Sequence, residues 1–208
     1  MNEASALKVP GVILAAGEAR RFGKVKQLMP WDKFTVLESV IHAAIIAGLS
    51  PVLVVLGANR EPIQEVARKW PAEILINDEW QEGQGTSLSL AARNLKDDIE
   101  GFVALLGDQP QMTPVLIRAI AAAGLSCQKI VRPLMGDRRG HPVYFPKACI
   151  DMLRSLGPGQ SGRDVVRAFP NHLLPWLDGR MALDMDTLED YYVLRSLFEL
   201  DDKGFKPL

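Results

Sequence analysis

The sequence predicts an α/β fold, a mostly parallel sheet with helices on both faces, and three observations carry the prediction. Short apolar runs without an alternating polar face read as strands buried on both sides. Segments with apolar residues near helical spacing lie between them, in a regular βαβα order. Glycine and small polar residues close most of the runs, as strand-to-helix loops require. The first run ends at Ile13-Leu14. Residues 35–48 predict a helix, with Val36, Val40, Ala43, Ala44 and Ala47 near helical spacing and Gly48 at its end. Residues 51–56 form a second buried strand ending at Gly57, and residues 61–70 an amphipathic helix stopped by Pro71. Glu73–Ile76 is a short third strand, 87–95 a helix, and Gly101–Leu106 a fourth strand with Gly107-Asp108 at its tip. Residues 113–123 make another helix, with Thr113 as N-cap and Pro114 at the first helical position.

The second half is less regular. Residues 131–145, with Pro133, Gly136, Gly140 and Pro142, read as two strands joined by a polar turn. Residues 155–162 read as a flexible loop, 188–197 as a helix, and 201–208 as a polar tail expected to fray. No internal repeat or low-complexity segment interrupts the chain.

Composition narrows the functional classes. A chain of 208 residues suits one α/β domain and can bury a sizeable core. Hydrophobic residues make up 48% and charged residues 24%, the balance of a soluble globular protein. A net charge of -1 gives no global pull toward nucleic acid or anionic membrane. Cys127 and Cys149 are too few for a disulfide framework and lack metal-ligand spacing. Met1 to Lys8 shows no apolar signal segment, and no run reaches membrane-spanning length, so a cytoplasmic location is expected.

The most informative stretch is residues 12–26, where an apolar run stops at small residues and turns into a glycine-bounded loop with four cations. Leu14, Ala15, Ala16 and Gly17 leave the backbone at the strand end open to a ligand. Arg20, Arg21, Lys24 and Lys26 place positive charge where a polyphosphate would sit. A solvated basic face is the plainer alternative. The loop is not a Walker motif, because five residues separate Gly17 from Gly23 and Val25 follows Lys24. It also lacks the three close glycines of a dinucleotide fingerprint. In open parallel sheets ligands bind at the carboxyl ends of strands. Residues 15–26, 77–86 and 107–110 all fall at such ends and are expected to meet.

Leu14-Ala15-Ala16-Gly17, then Arg21-Phe22-Gly23 and Lys26, resembles the signature of nucleotidyltransferases that load a nucleotide onto a phosphorylated acceptor. Within that MobA-like NTP transferase superfamily the chain looks most like the molybdenum cofactor cytidylyltransferases, over residues 10–197. Ala19 departs from the Ser or Gly often found there. The resemblance implies a Rossmann-like three-layer sandwich of the nucleotide-diphospho-sugar transferase type. It also implies a nucleotide-binding half at about 10–110 and an acceptor-binding half at about 111–197.

Four groups of residues carry the expected chemistry. Asp108 ends a buried strand, where a carboxylate needs a partner or a metal. It is the first choice for a Mg2+ ligand, with a helix-capping turn as the alternative. Asp184 and Asp186 lie two apart in an extended segment, so both would project to one face. Asp184 is expected as second metal ligand and Asp186 in the cap or behind the metal, with Thr187 also able to cap. Asn77, Gly83, Gly85, Thr86 and Ser87 resemble the family's base-recognition loop, although Thr86 or Ser87 could simply cap the next helix. Arg139, Gly140 and His141 resemble its acceptor-side string, and a structural histidine is the alternative there.

The implied reaction is attack by an acceptor phosphate on the α-phosphorus of CTP, with release of pyrophosphate. Arg21, Lys26 and Asp108 would be the catalytic residues, with no covalent intermediate. CTP is favoured because Ala16 stands where guanylyl-transferring relatives more often have glycine, and the implied acceptor is molybdopterin. A molybdoenzyme or its chaperone would be the partner; nucleic acid and membrane are not expected. A guanylyltransferase, a sugar- or methylerythritol-phosphate nucleotidyltransferase and a non-catalytic cofactor chaperone are the alternatives.

Overall fold

The computed structural model describes residues 9–18 and 21–202. Ala19 and Arg20, the first eight residues and residues 203–208 lie outside the described residues, and with them the expectations placed there. Strand β1 (Gly11–Ala15) is followed by a small hairpin of β2 (Pro30–Trp31) and β3 (Phe34–Thr35). Helix α1 (Val36–Ile46) starts from a capping box in which Thr35 and Glu38 satisfy each other's backbone amides. Then come β4 (Val52–Leu56), α2 (Arg60–Ala67), β5 (Glu73–Ile76), α3 (Gln84–Asn94) and β6 (Gly101–Leu106). Helix α4 (Pro114–Cys127) begins as expected, with the Thr113 hydroxyl accepting from the Leu116 amide.

Strands β7 (Ile130–Met135), β8 (Arg138–Arg139) and β9 (Val143–Pro146) form the antiparallel part. After them come α5 (Ile150–Arg154), α6 (Gly162–Ala168), β10 (Asn171–Pro175) and α7 (Leu188–Asp202). All the strands except the hairpin join one eight-stranded sheet ordered β10-β7-β9-β6-β1-β4-β5, with β8 beside β7. Four of these strands, β6, β1, β4 and β5, are mutually parallel, whereas β9 runs antiparallel to β6 and β7. Because β4 lies on one side of β1 and β6 on the other, strand order reverses between β1 and β6, which opens a crevice at their carboxyl ends.

Two apolar layers sandwich the sheet. Ile13, Val54, Val103 and Leu105 pack against α1 and α4, and Val12, Leu53, Val55 and Ala104 against α3 and α5. The strand alternation that produces this division leaves β1 and β4 apolar on both faces, which is why they read as continuous runs. A third cluster, Phe22, Trp31, Val36, Met185, Tyr191 and Leu194, fastens α7 over the loop that follows β1. Strand β10 and helices α5 and α6 were not expected. The loop expected to be flexible is instead tied to α3: the Gly159 amide donates to the Glu82 carbonyl at 2.9 Å, and the Gly85 amide to the Gln160 carbonyl at 3.0 Å. Among the described residues no helix is long and apolar enough to cross a membrane.

Candidate active site

The three loops at the strand ends do converge. Leu14, Ala15, Ala16, Gly17, Glu18 and Lys26 from the first loop share a cavity of about 530 Å3 with Trp80, Gly83, Gln84, Ser87, Leu106 and Asp108. The Ala16 carbonyl accepts from the Ala58 amide, which fixes the strand end. A side chain at Gly17 would meet open space, so this glycine bares the backbone to the cavity.

Lys26 stands in a short 3-10 turn over Lys26–Leu28, and its side chain is only 8% exposed. A buried ammonium requires counter-charge. Its Nζ donates to Asp186 Oδ1 at 3.2 Å and to Asp108 Oδ2 at 3.5 Å, so one cation bridges two carboxylates far apart in sequence. Burial pushes the Asp108 carboxyl above its ordinary range against the pull of Lys26, and the Asp186 charge adds to the rise. Arg21 is exposed at the rim and donates to Asp186 Oδ2 at 2.7 Å.

The segment before α7 departs from expectation. Asp184 and Asp186 do not share a face, because same-face alternation needs a regular strand and this segment follows a 3-10 turn without sheet partners. Asp186 faces Lys26, whereas Asp184 accepts from Gln109 Nε2 at 3.4 Å in a neighbouring cavity. Nor does Asp186 cap α7. Thr187 and Asp190 do so reciprocally, the Asp190 carboxylate accepting from the Thr187 amide at 2.7 Å and the Thr187 hydroxyl accepting from the Asp190 amide.

Of Asn77, Gly83, Gly85, Thr86 and Ser87, only Gly83 and Ser87 line the first cavity. Asn77, Gly85 and Thr86 stand behind its wall. Buried Asn77 donates through Nδ2 to the Thr86 and Ser87 hydroxyls, at 2.9 Å each, and its Oδ1 accepts from the Glu79 amide. Neither Thr86 nor Ser87 is the N-cap of α3. That position is Gly83, at a φ of 114° that disfavours side chains. At Gly85 a Cβ would meet the Gln160 carbonyl oxygen at 2.5 Å, so the glycine permits close packing of the 157–160 loop.

A second cavity, of about 640 Å3, adjoins the first through Leu14, Gln84 and Leu106. Arg139, Gly140 and His141 line it, as do Arg132, Arg138 and Arg163. Burial, together with the charges of Arg132 and Arg163, pushes His141 down to about 4, leaving a neutral imidazole. Arg132, Arg163 and Gln109 were not anticipated here. The signal for Arg132 was present, as a cation within an apolar strand.

A family model described as the MobA-like NTP transferase domain matches residues 11–173. The chain belongs to this family. The chain is 30% identical to a nicotine blue oxidoreductase of Paenarthrobacter nicotinovorans, over 89% of this chain and 96% of that protein. It is 24% identical to a molybdenum cofactor cytidylyltransferase of Escherichia coli, over 90% of this chain and 95% of that one. The structure of Rv0371c from Mycobacterium tuberculosis, solved with manganese, superposes with a TM-score of 0.77 at 26% identity, covering 91% and 98% of the two chains. The MobA-like assignment agrees with the Rossmann-like sheet and with the position of the first cavity at its strand-order reversal.

Proposed function

We propose that this MobA-like protein transfers CMP from CTP to the phosphate of a molybdopterin-type acceptor in the cytoplasm. The observation that carries this reading is the Asp108–Lys26–Asp186 cluster, placed where the small-residue loop after β1 meets a second, cationic cavity. Among the described residues Glu18, Asp108 and Asp186 line the first cavity beside Lys26, with Arg21 bonded to Asp186 at the rim, and carboxylates this close to a triphosphate favour its entry together with a divalent cation. Two carboxylates suit magnesium, which keeps waters and takes its other ligands from phosphates. Among the described residues no group of three or more His, Cys, Asp and Glu side chains offers an all-protein metal cage. Asp108 with Asp186 is the favoured pair of metal ligands, and Asp184 is better placed to face the acceptor.

When bound, the metal would supply Lewis-acid neutralisation of phosphate charge. The chain's own groups would do the rest. The open backbone at Ala15, Ala16 and Gly17 would cradle the nucleotide, and Gly83 and Ser87 would face the base. Lys26 would neutralise charge at the α-phosphate. The Arg21–Asp186 pair is exposed and worth only about 0–1 kcal/mol, so a triphosphate can draw Arg21 away at little cost. As an acceptor phosphate oxygen bonds to the α-phosphorus, the bond to the β-phosphate oxygen breaks and its electron pair leaves with pyrophosphate. Arg139, Gly140 and neutral His141 would position the acceptor.

The test is pyrophosphate release by purified protein with molybdopterin, magnesium or manganese, and CTP or GTP in parallel. Release with CTP is the expected result, and release with GTP alone would make the protein a guanylyltransferase. Tight cofactor binding without release would favour a carrier that delivers cofactor to a molybdoenzyme. The relative named as an oxidoreductase makes hydride transfer the second reading. Acceptor-dependent oxidation of a reduced nicotinamide, without pyrophosphate release, would establish it.

A further inference from the structure

We propose that Arg132, Arg139, Arg163 and Arg167 form an oxyanion subsite that holds a second anionic group of the acceptor, remote from the phosphate that attacks the nucleotide. The inference deepens the acceptor-side reading above and rests on it. These four arginines line a third cavity, of about 460 Å3, together with Val166, Asn171 and Leu173. No carboxylate is among the described residues that line it. The nearby Asp164 is occupied in capping α6, where it accepts from the Ser161 amide at 2.8 Å, and it reaches Arg167 only at 3.8 Å.

Arg132 is the centre of the argument. It sits on β7, opposite Leu173 of β10, with Ile130 and Leu134 two residues to either side. Strand alternation therefore points it to the sheet face that α6 covers, a place where an aliphatic side chain would be ordinary. Instead there is a guanidinium, further disfavoured by the Arg139 charge, and its Nε is buried without a hydrogen-bond partner. A buried donor left unpaired is costly and calls for an acceptor. An oxyanion supplies one and relieves the mutual repulsion of the arginines, since guanidinium groups grip such oxygens in a fork.

The geometry also says where the ligand comes from. Arg132, Arg139, Arg163 and Val166 line both this cavity and the second one, which in turn meets the nucleotide cavity. The three cavities thus form one trough, with Asp108 and Lys26 at one end and the arginines at the other. An acceptor whose phosphate reaches the α-phosphorus can bring only its opposite portion to Arg132.

The experiment reads the Arg132 Nε–H resonance in 15N-labelled protein during titration with inorganic sulfate, for the wild type and for R163Q/R167Q. Both substituted residues are exposed, so the fold should survive, and a circular dichroism spectrum checks it. We expect a saturable Arg132 shift in the wild type and an affinity lower by about tenfold or more in the variant. The acceptor KM should rise by a similar factor, with CTP affinity from direct titration unchanged. An Arg132 signal that sulfate does not move, or moves equally in both proteins, overturns the subsite. Sulfate binding with an unaltered acceptor KM overturns its link to the acceptor. Failure of the proposed function would appear separately, as a wild type that releases no pyrophosphate although the sulfate titration still reports on the arginines.

Discussion

The first cavity, proposed for the nucleotide, and the second, proposed for the acceptor, share a wall at Leu14, Gln84 and Leu106, yet they differ in charge. Among the described residues the first carries Glu18, Asp108 and Asp186 beside Lys26, with Arg21 bonded to Asp186 at its rim. The second has four arginines and one aspartate on its wall. On the proposed reading the first takes a polyphosphate together with a divalent cation, whereas the arginines of the second suit an anion directly. They also differ in how their polar groups are satisfied. Behind the nucleotide cavity, Asn77, Thr86 and Ser87 are mutually satisfied; beside the acceptor cavity, Arg132 and Gln109 keep buried polar atoms without partners. One wall is a closed hydrogen-bond network, the other a surface with unmet demand.

Breaking the cation-recruiting side should have the largest effect. D108A is expected to lower turnover by about a thousandfold, measured as pyrophosphate release at saturating metal, because it removes the buried carboxylate proposed to hold the metal. K26A follows, at about a hundredfold, and circular dichroism should show an intact fold. Turnover of D108A or K26A equal to wild type would remove the site from this cavity. D186N against D184N sharpens the comparison. Loss of manganese affinity by about tenfold or more in D186N, with D184N near wild type, is expected from which carboxylate faces Lys26. The reverse order would return the metal to Asp184.

Smaller effects concern the walls. T86V breaks the closed network and leaves an Asn77 donor short of one acceptor, so it should cost about 1–3 kcal/mol in chemical denaturation. His141 gives the mildest signal. Its pKa is about 4 folded and near 6.5 unfolded, so the unfolded chain binds the extra proton between those values. Stability should therefore decline as pH falls from 6.5 toward 4, and H141Q should flatten that decline in thermal melts. An activity limb near 6.5 that disappears in H141Q would instead mean that this imidazole titrates at its ordinary value in the folded protein.

Much of the fold was legible because β1, β4 and β6 are buried on both faces and so read as uninterrupted apolar runs. Thr113 and Pro114 announced helix α4 by capping chemistry, and the spacing of Val36, Val40, Ala43, Ala44 and Ala47 announced α1. Strand β10, Asn-His-Leu-Leu-Pro, stayed hidden because an exposed sheet-edge strand carries polar residues and a proline and shows no clear period. Asp108 could be read as a site candidate from the cost of placing charge at the end of a buried strand, and Lys26 from the clustered cations of the loop after β1. The choice between Asp184 and Asp186 could not, since it depends on how an unpaired segment turns over the α7 cluster. A partial signal did exist: Thr187 and Asp190 have the spacing of a capping box, which frees Asp186 from that duty. Asn77 and Thr86 were recognisable as a unit, but only packing shows that they brace the loop from behind.

The tie between the 157–160 loop and α3 bears on how such enzymes can be recombined. Gly159 and Gln160 belong to the half of the chain that follows the nucleotide loops, yet they hydrogen-bond to Glu82 and Gly85 within those loops. A chimera joined near residue 110 would thus graft a foreign latch onto the segment proposed to read the base. To transplant nucleotide preference between relatives, the donor should contribute residues 77–87 and 157–160 together, as one discontinuous cassette.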